Sequence, residues 1–194
     1  VFKLNVLPTS KQKPEEGSKE LKTLKEIYDF YDQNKLRFEN LASIVTEYLI
    51  KKSAKNYKAG WITKGSGDSG IDFIGRMDIG TGFGSAKVIV LGQAKCESLN
   101  SPTGGNHIAR TVAKLKRGWL GVYVTTSYFS PNVQIEILED KYPLLLINGK
   151  KIAEVVNEIV IDQGYENVAE YLKKVDSEYQ GLIQYRDPEE ILFE

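Results

Sequence analysis

The amino-acid sequence predicts an α/β fold of three layers, in which helices flank a central mixed β-sheet. Apolar runs at residues 88–91 and 144–147 have the length of buried strands. Segments 71–79 and 86–95 are separated by a short glycine-containing connection and should form an antiparallel hairpin. Later strands alternate with helical patterns, which favours parallel neighbours. Antiparallel pairing of the first strands, followed by strands that alternate with helices, indicates a mixed sheet.

The N-terminal quarter of the chain is predicted to be mainly helical. Residues 1–16 contain two prolines and are expected to form an irregular arm. Apolar side chains recur at helical spacing over residues 17–33, with Ser18 as the N-cap, and again over residues 36–52. Glu39 lies at the margin of the second apolar stripe, and the pattern alone favours a solvated edge position for it.

The remaining elements follow from short apolar runs and amphipathic segments. Strands are expected at residues 55–64, 71–79, 86–95, 120–126 and 144–147. Helices are expected at residues 105–117, 131–140, 150–158 and 166–179, and a further helix should start at Asp187-Pro188. Ser130 should cap the second of these helices, and Asn148-Gly149 should form a turn.

Composition excludes several classes of protein. The 194 residues contain no apolar run near the ~18–20 residues of a membrane span, and the first residues do not resemble a signal peptide. Cys96 is the only cysteine, so neither an intrachain disulfide nor a cysteine zinc site is expected, which fits a cytoplasmic protein. The chain opens on Val1 and Met77 is its only methionine, which suggests a fragment or a chain trimmed at its N-terminus and leaves a missing upstream domain open.

Charge is balanced overall but unevenly distributed. Lys and Arg total 26, as do Asp and Glu. Residues 87–118 contain six Lys/Arg and one Glu, whereas residues 119–194 contain six Lys/Arg and fourteen Asp/Glu. Nucleic-acid binding needs a local basic patch rather than a basic protein. From charge alone, the basic segment 87–118 could equally be a phosphate-binding surface or a solvated helix face beside an acidic tail.

Three polar side chains converge in the predicted hairpin. If Ile79 faces Ala86 across the loop, paired residues sum to 165, which places Asp72 opposite Gln93. Cross-strand neighbours have Cβ atoms ~4.5–5.5 Å apart. Lys95 is two residues beyond Gln93 and therefore lies on the same face of its strand. A register shift of one residue would turn Asp72 to the other face.

An acid, an amide oxygen and a lysine in this arrangement are typical of a metal-dependent phosphodiesterase. Mg²⁺ prefers oxygen ligands, which Asp72, Gln93 and the backbone carbonyl of Ala94 could supply. Lys95 could orient the attacking water or stabilise charge on the phosphate. The alternative is a structural ion pair between Asp72 and Lys95, with Gln93 satisfied by the backbone. Spacing alone leaves both open, although the cost of burying these polar groups favours a site.

Other motifs carry less weight. Residues 65–70 spell GxGxxG, but they lead into a strand and include Asp68, which would repel a pyrophosphate. No serine lies in a GxSxG motif, so a Ser-His-Asp triad is not expected. His107 could approach a phosphate, although a lone histidine is more often structural. Three cations at helical spacing are expected to follow a nucleic-acid backbone, namely Arg110, Lys114 and Arg117.

Five short motifs occur in a characteristic order over residues 36–158. They are Phe38-Glu39, Gly67-Asp68-Ser69-Gly70-Ile71-Asp72, Gln93-Ala94-Lys95, the segment GVYVTTSYFS at 121–130, and Leu146-Ile147-Asn148-Gly149. Together they resemble the Mrr-like restriction-endonuclease branch of the PD-(D/E)XK nuclease superfamily, in its QxK variant. The spacing of twenty residues between Asp72 and Gln93, with Ala94-Lys95 following, resembles that in the nuclease domain of MspJI-type modification-dependent restriction enzymes. In those enzymes an upstream domain reads modified cytosine.

The resemblance implies a restriction-endonuclease-like fold and a DNA endonuclease that uses Mg²⁺, for which Mn²⁺ can substitute. It implies that Asp72 and Gln93 bind the metal, that Lys95 is the catalytic lysine and that Glu39 is an accessory acid. Most of the superfamily has an acid where this chain has Gln93, which implies weaker metal binding and puts a two-metal mechanism in doubt. Double-stranded DNA is the implied partner, bound by a dimer or a higher assembly.

The expected nuclease core covers residues 36–160, between an N-terminal arm and helix (1–35) and a C-terminal helical extension (161–194). Two alternative functions stay open. One is another nuclease of the same fold, such as a junction resolvase. The other is a catalytically inactive nuclease fold that binds DNA or assembles complexes. No helix-turn-helix or zinc motif is visible, so sequence recognition should lie in a missing segment or a partner.

Overall fold

The computed structural model describes residues 6–54, 56–63 and 70–194, and a six-stranded mixed sheet lies at the centre of this part of the chain. The sheet order is β5-β4-β3-β2-β1-β6. Antiparallel pairing joins β1 to β2 and β2 to β3, whereas β3–β4, β4–β5 and β1–β6 are parallel. The strands are β1 (Tyr57–Thr63), β2 (Phe73–Ile79), β3 (Ala86–Lys95), β4 (Leu120–Thr125), β5 (Leu144–Ile147) and β6 (Ile183–Gln184).

The helices begin close to the predicted caps. The hydroxyl of Ser18 accepts a hydrogen bond from the backbone N–H of Leu21, and Ser130 caps its helix in the same way. Asp187 starts a 3₁₀ helix with a capping box. The α-helices are α1 (Thr9–Gln12), α2 (Lys19–Tyr31), α3 (Phe38–Ser53), α4 (Gly105–Val112), α5 (Pro131–Glu139), α6 (Gly149–Asp162) and α7 (Val168–Leu182), and the C-terminal 3₁₀ helix is Pro188–Phe193.

The two sides of the sheet bury different apolar clusters. Val90 of β3 belongs to a large cluster with side chains of α2, α3, α6 and α7. Ile89 and Leu91, which alternate with Val90, instead pack with Trp61 and with Ile191 of the C-terminal 3₁₀ helix. A third cluster packs α4 and α5 against β4. Since successive side chains of a strand point to opposite faces, β3 is buried on both, and the predicted three-layer α/β fold is confirmed.

Helix α4 is shorter than predicted. It ends at Val112 instead of residue 117, and the chain continues through turns in which the N–H of Lys114 bonds the carbonyl of Thr111. Leu115 and Trp119 turn back onto the cluster around Trp61. This packing overrides the helical periodicity of the segment. The expectation that the cations of residues 110–117 share one helical face is therefore wrong.

Three other segments differ from the predictions. Residues 9–12 form the short helix α1, because the buried side chain of Gln12 bonds the carbonyls of Leu7 and Phe129. Asn148 caps α6 through its side chain and so starts a helix instead of closing a turn. The short strand β6 was not predicted. The predicted strand 55–64 is found as β1, and its end residues 55 and 64 lie outside the described residues.

The predicted terminal segments pack against the core. Tyr31 of α2 and Val175 of α7 belong to the large cluster, and β6 pairs with β1. The domain boundaries after residues 35 and 160 stay predictions. No helix in the described part of the chain is long and apolar enough to cross a membrane.

Candidate active site

The register of the β2–β3 hairpin agrees with the prediction. Partners run from Ile79 and Ala86 at the loop to Phe73 and Gly92 at the far end, and each pair sums to 165. A Cβ atom at Gly92 would lie 2.0 Å from the ring of Phe73, so only glycine fits there. The predicted pairing of Asp72 with Gln93 is not formed, because β2 begins at Phe73; Asp72 lies just before it, and its N–H donates to the carbonyl of Gly92 at 2.8 Å.

The side chain of Asp72 reaches the neighbouring strand. Its Oδ2 accepts a hydrogen bond from the backbone N–H of Ala94 at 2.7 Å, between Gln93 and Lys95. Burial raises the pKa of Asp72 to about 6, against the opposing effects of the Ala94 hydrogen bond and the charge of Lys95. No salt bridge joins Asp72 to Lys95, so the structural ion pair considered from the sequence is not formed. Oδ1 of Asp72 has no hydrogen-bond partner among the described residues.

Gln93 and Lys95 occupy the carboxyl end of β3. Gln93 is buried, and its amide contacts the hydroxyl of Thr111 on α4. Lys95 is half-buried and pairs with Thr125 of β4. The structure therefore brings Asp72 next to the Gln93-Ala94-Lys95 segment at the carboxyl end of β3.

Glu39 is buried next to this site. It lies in the first turn of α3 with 4% of its surface exposed, so the pattern-based expectation of a solvated edge position is wrong. The hydroxyl of Tyr179 in α7 donates to its Oε2 at 3.1 Å. Burial and then the negative charge of Asp72 raise the pKa of Glu39 to about 8, against the effect of the Tyr179 hydrogen bond. The electrostatic coupling means that Glu39 and Asp72 face a common region.

The donor set fits a hard divalent cation. Burial and the charge of Asp72 make Glu39 costly to ionise, and a cation bound near both carboxyls would offset that cost. In an extended strand the N–H and C=O of one residue point to the same side, so the carbonyl of Ala94 also faces Asp72. Within the described residues, no three or more His, Cys, Asp or Glu side chains are grouped so that they could hold a metal ion. Two acids with neutral oxygens suit Mg²⁺ better than zinc.

The predicted DNA-binding residues are spread along α4 and beyond it. His107 is half-buried in the first turn of α4, and Arg110 is exposed in its last turn. Lys114 and Arg117 are exposed after the helix has ended. Lys116, between them, pairs with Glu189 and lies over the ring of Trp119. Because Thr111 of α4 contacts Gln93, α4 lies beside the catalytic candidates.

Two residues near the site were missed from the sequence, Thr111 and Tyr179. Thr111 lies three residues after Ile108 on the inward face of α4, where an apolar residue is expected, and this could have drawn attention to it. Tyr179 continues the apolar stripe of α7 four residues after Val175, but nothing in the sequence indicates a partner in α3. The Gly67-Asp68-Ser69 part of the predicted motif lies outside the described residues.

A family model and two solved structures match this chain. Residues 34–156 match the Mrr_cat family model, described as restriction endonuclease. The structure of the MspJI restriction endonuclease in complex with a 27-mer oligonucleotide superposes with a TM-score of 0.94 and 42% identity over 100% of this chain. The DNA modification-dependent restriction endonuclease AspBHI matches its fold with a TM-score of 0.72 and 24% identity over 94% of the chain.

The extent of these matches defines what is shared. The chain spans 43% of the MspJI chain and 44% of the AspBHI chain. No protein among curated sequences matches it. The family model covers more than half of the chain and includes Glu39, Asp72, Gln93 and Lys95. The chain belongs to the Mrr_cat restriction endonuclease family and is similar to part of the MspJI restriction endonuclease.

Proposed function

We propose that this chain is the Mg²⁺-dependent cleavage domain of a modification-dependent restriction enzyme and hydrolyses phosphodiester bonds of double-stranded DNA. The observation that carries the proposal is the contact between the Asp72 carboxylate and the Gln93-Ala94-Lys95 segment, beside the buried Glu39. Family membership and the DNA complex of a 42% identical relative support the same function. A cytoplasmic location stays a prediction from the cysteine content.

Each residue of the site has a proposed role. The carboxylate of Asp72, the amide oxygen of Gln93 and the carbonyl of Ala94 would hold Mg²⁺, with Glu39 as a nearby second acid. When bound, the ion supplies polarisation of the phosphate and lowers the pKa of water. The ammonium of Lys95 stabilises charge on the scissile phosphate and orients the attacking water. Glu39, held by Tyr179, receives a proton or adds negative charge beside the cation.

DNA is proposed to approach along α4. Arg110, Lys114 and Arg117 are exposed and form no ion pair with another described residue, so they are available to phosphates. His107 would contact the backbone from the start of the helix. One such domain carries one site, so cleavage of both strands would use a dimer or a higher assembly.

Replacement of Lys95 tests the mechanism. Lys95→Ala should retain the folded structure and DNA binding but lose nicking of plasmid DNA in Mg²⁺, because the charge at the phosphate is lost. Lys87→Ala is the matched control, since Lys87 lies on the same strand near the opposite end and bonds the carbonyl of Leu192. Full nicking activity by Lys95→Ala would overturn the assignment. Modified and unmodified plasmids, each with and without Mg²⁺, test the dependence on modification.

An inactive DNA-binding module is the second candidate, because Gln93 contributes no charge to metal binding. Calorimetric titration with Mg²⁺ and Mn²⁺ separates the two functions. Intact DNA binding without detectable metal binding would favour the inactive module. Metal binding that is lost in Asp72→Asn would favour the nuclease.

A further inference from the structure

The amide of Gln93 and the hydroxyl of Thr111 form a buried pair at the candidate active site. Gln93 is 7% exposed and Thr111 is 2% exposed, so water does not freely replace either partner. The Thr111 hydroxyl also lies 3.3 Å from the backbone carbonyl of His107, one turn earlier in α4. Thr111 thus connects the first turn of α4 to the end of β3.

This contact has two possible arrangements because an amide has a donor end and an acceptor end. In the first, Oε1 of Gln93 faces Thr111 and accepts its hydrogen bond. The hydroxyl carries a single proton, so Gln93 and the His107 carbonyl then compete for one donor. The nitrogen is left on the side of Gly70, where it lies 3.8 Å from the position of a Cβ atom on that residue. Gly70 is two residues before Asp72, so in this arrangement the amide donor lies beside the segment that leads into Asp72, a proposed metal ligand.

Rotation of the amide by about 180° resolves this competition, and the oxygen and nitrogen positions are nearly interchangeable in shape. Nε2 of Gln93 then donates to the Thr111 hydroxyl, and the hydroxyl donates to the His107 carbonyl. Two hydrogen bonds are satisfied together instead of one. The oxygen of Gln93 then takes the position beside Gly70, two residues before Asp72, where it would be available as a metal ligand.

We propose that Thr111 is a positioning residue that selects the second arrangement and so directs the amide oxygen of Gln93 to the metal site. This inference rests on the proposed nuclease function. It gives a physical reason why glutamine can stand at a position that is usually acidic. A carboxylate presents an oxygen in either orientation, whereas an amide is a ligand only when its orientation is fixed. Thr111 supplies that fixation through a hydroxyl that accepts from the amide.

A double-mutant cycle tests the role of Thr111 in metal binding. The four proteins are the wild type, Thr111→Val, Gln93→Glu and the double variant, and Mn²⁺ affinity is measured by calorimetry without DNA. Thr111→Val should weaken Mn²⁺ binding about tenfold or more in the wild-type background, the usual effect of losing an outer partner of a ligand. In the Gln93→Glu background the same change should cost less than about threefold, since orientation no longer matters.

Two further measurements separate positioning from packing. Thr111→Ser keeps the hydroxyl and should retain Mn²⁺ affinity within about threefold, whereas Val keeps the shape and loses the hydroxyl. In metal-free protein, the side-chain ¹⁵N–¹H₂ signals of Gln93 can be assigned through their absence in Gln93→Glu. We expect slow hydrogen exchange for one of these protons in the wild type, and loss of that protection in Thr111→Val.

Several results would overturn the inference. Equal losses of Mn²⁺ affinity in both backgrounds would mean that Thr111 acts through general packing. Tighter Mn²⁺ binding by Thr111→Val would mean that the hydroxyl holds the amide oxygen away from the metal. A Gln93 side-chain amide that exchanges fast in the wild type refutes the proposed orientation without reference to metal. If the wild type binds no Mn²⁺, the proposed function fails, and the exchange measurement still decides the orientation of Gln93.

Discussion

Replacement of Glu39 by glutamine should stabilise the metal-free protein and at the same time impair DNA cleavage. Glu39 is 4% exposed, and its pKa rises from the ordinary 4.5 to about 8, chiefly through burial and then through the charge of Asp72. Ionisation of this carboxyl in the folded protein is therefore costly. Glutamine has nearly the same shape, keeps an oxygen for the Tyr179 hydroxyl and carries no charge.

The sign and size of this stability change follow from the protonation of Glu39 in the folded and in the unfolded protein. A raised folded-state pKa means that the contribution of Glu39 to stability is fully present below about pH 4.5 and is lost as pH rises toward 8. At about pH 7 the loss amounts to roughly 3 kcal/mol, because each pKa unit corresponds to about 1.4 kcal/mol. The new amide N–H₂ needs partners and recovers only part of this, so we expect a gain of about 1–3 kcal/mol. For a chain of this length that is about 2–12 °C in Tm.

Thermal and urea unfolding in EDTA measure this effect at about pH 5 and pH 8. The advantage of Glu39→Gln over the wild type should be small at the lower pH and full at the higher pH. Glu158→Gln is the matched control, because Glu158 is exposed and its pKa is lowered by hydrogen bonds from Lys52 and Tyr48. The control variant should show no gain in stability at about pH 8.

Addition of Mg²⁺ should reverse the order of stability. A cation that binds the folded wild type stabilises it by mass action, and it should stabilise Glu39→Gln less because one negative charge has been removed. The reasoning is refuted if Glu39→Gln is less stable than the wild type in EDTA at about pH 8, or if its advantage does not change with pH. Unimpaired plasmid nicking by this variant would remove Glu39 from the catalytic machinery.

Two other predictions concern DNA binding and the hairpin. Arg110→Gln should weaken duplex binding at all sequences and reduce the slope of log K against log salt concentration by about 1. Lys116→Gln should have little effect, because Lys116 is paired with Glu189. Equal effects of the two variants in fluorescence-anisotropy titrations would contradict the proposed approach of DNA along α4. Gly92→Ala should lower stability by about 3 kcal/mol or more, because the new methyl group would overlap the buried ring of Phe73. Gly104→Ala, which meets no atom within 4 Å, is its control in urea unfolding, and similar midpoints for the two variants would refute the packing argument.

The hairpin could be predicted from the sequence because its geometry is local. Once the loop between Ile79 and Ala86 was identified, every partner followed from counting, and the observed register agrees as far as Phe73 and Gly92. Asp72 departs from this count, because its N–H donates to the carbonyl of Gly92 and the observed pairing ends before Gln93. Its side-chain hydrogen bond from the Ala94 N–H was also beyond the count, because the bond depends on a side-chain rotamer at the end of the strand.

Contacts between distant elements were beyond the reach of sequence patterns. The amphipathic pattern of α3 treats Glu39 as an edge residue, because it cannot represent a second helix that covers that edge. Tyr179, which covers it, is 140 residues away. Similarly, the helical periodicity of residues 105–117 gives no sign that Leu115 leaves the helix to join another cluster. In both cases tertiary packing decided between local options of similar energy.

The C-terminal helix α7 packs against the candidate site, although the family model ends at residue 156. Asp176 accepts a hydrogen bond from Arg37, immediately before α3, and the carbonyl of Val175 accepts from Asn40 in the first turn of α3. Tyr179, one turn further along α7, bonds Glu39 itself. These contacts fix the start of α3 against α7 on both sides of Glu39. A carboxyl buried at such cost keeps one orientation only if its surroundings are rigid, so α7 sets where the second acid of the site points.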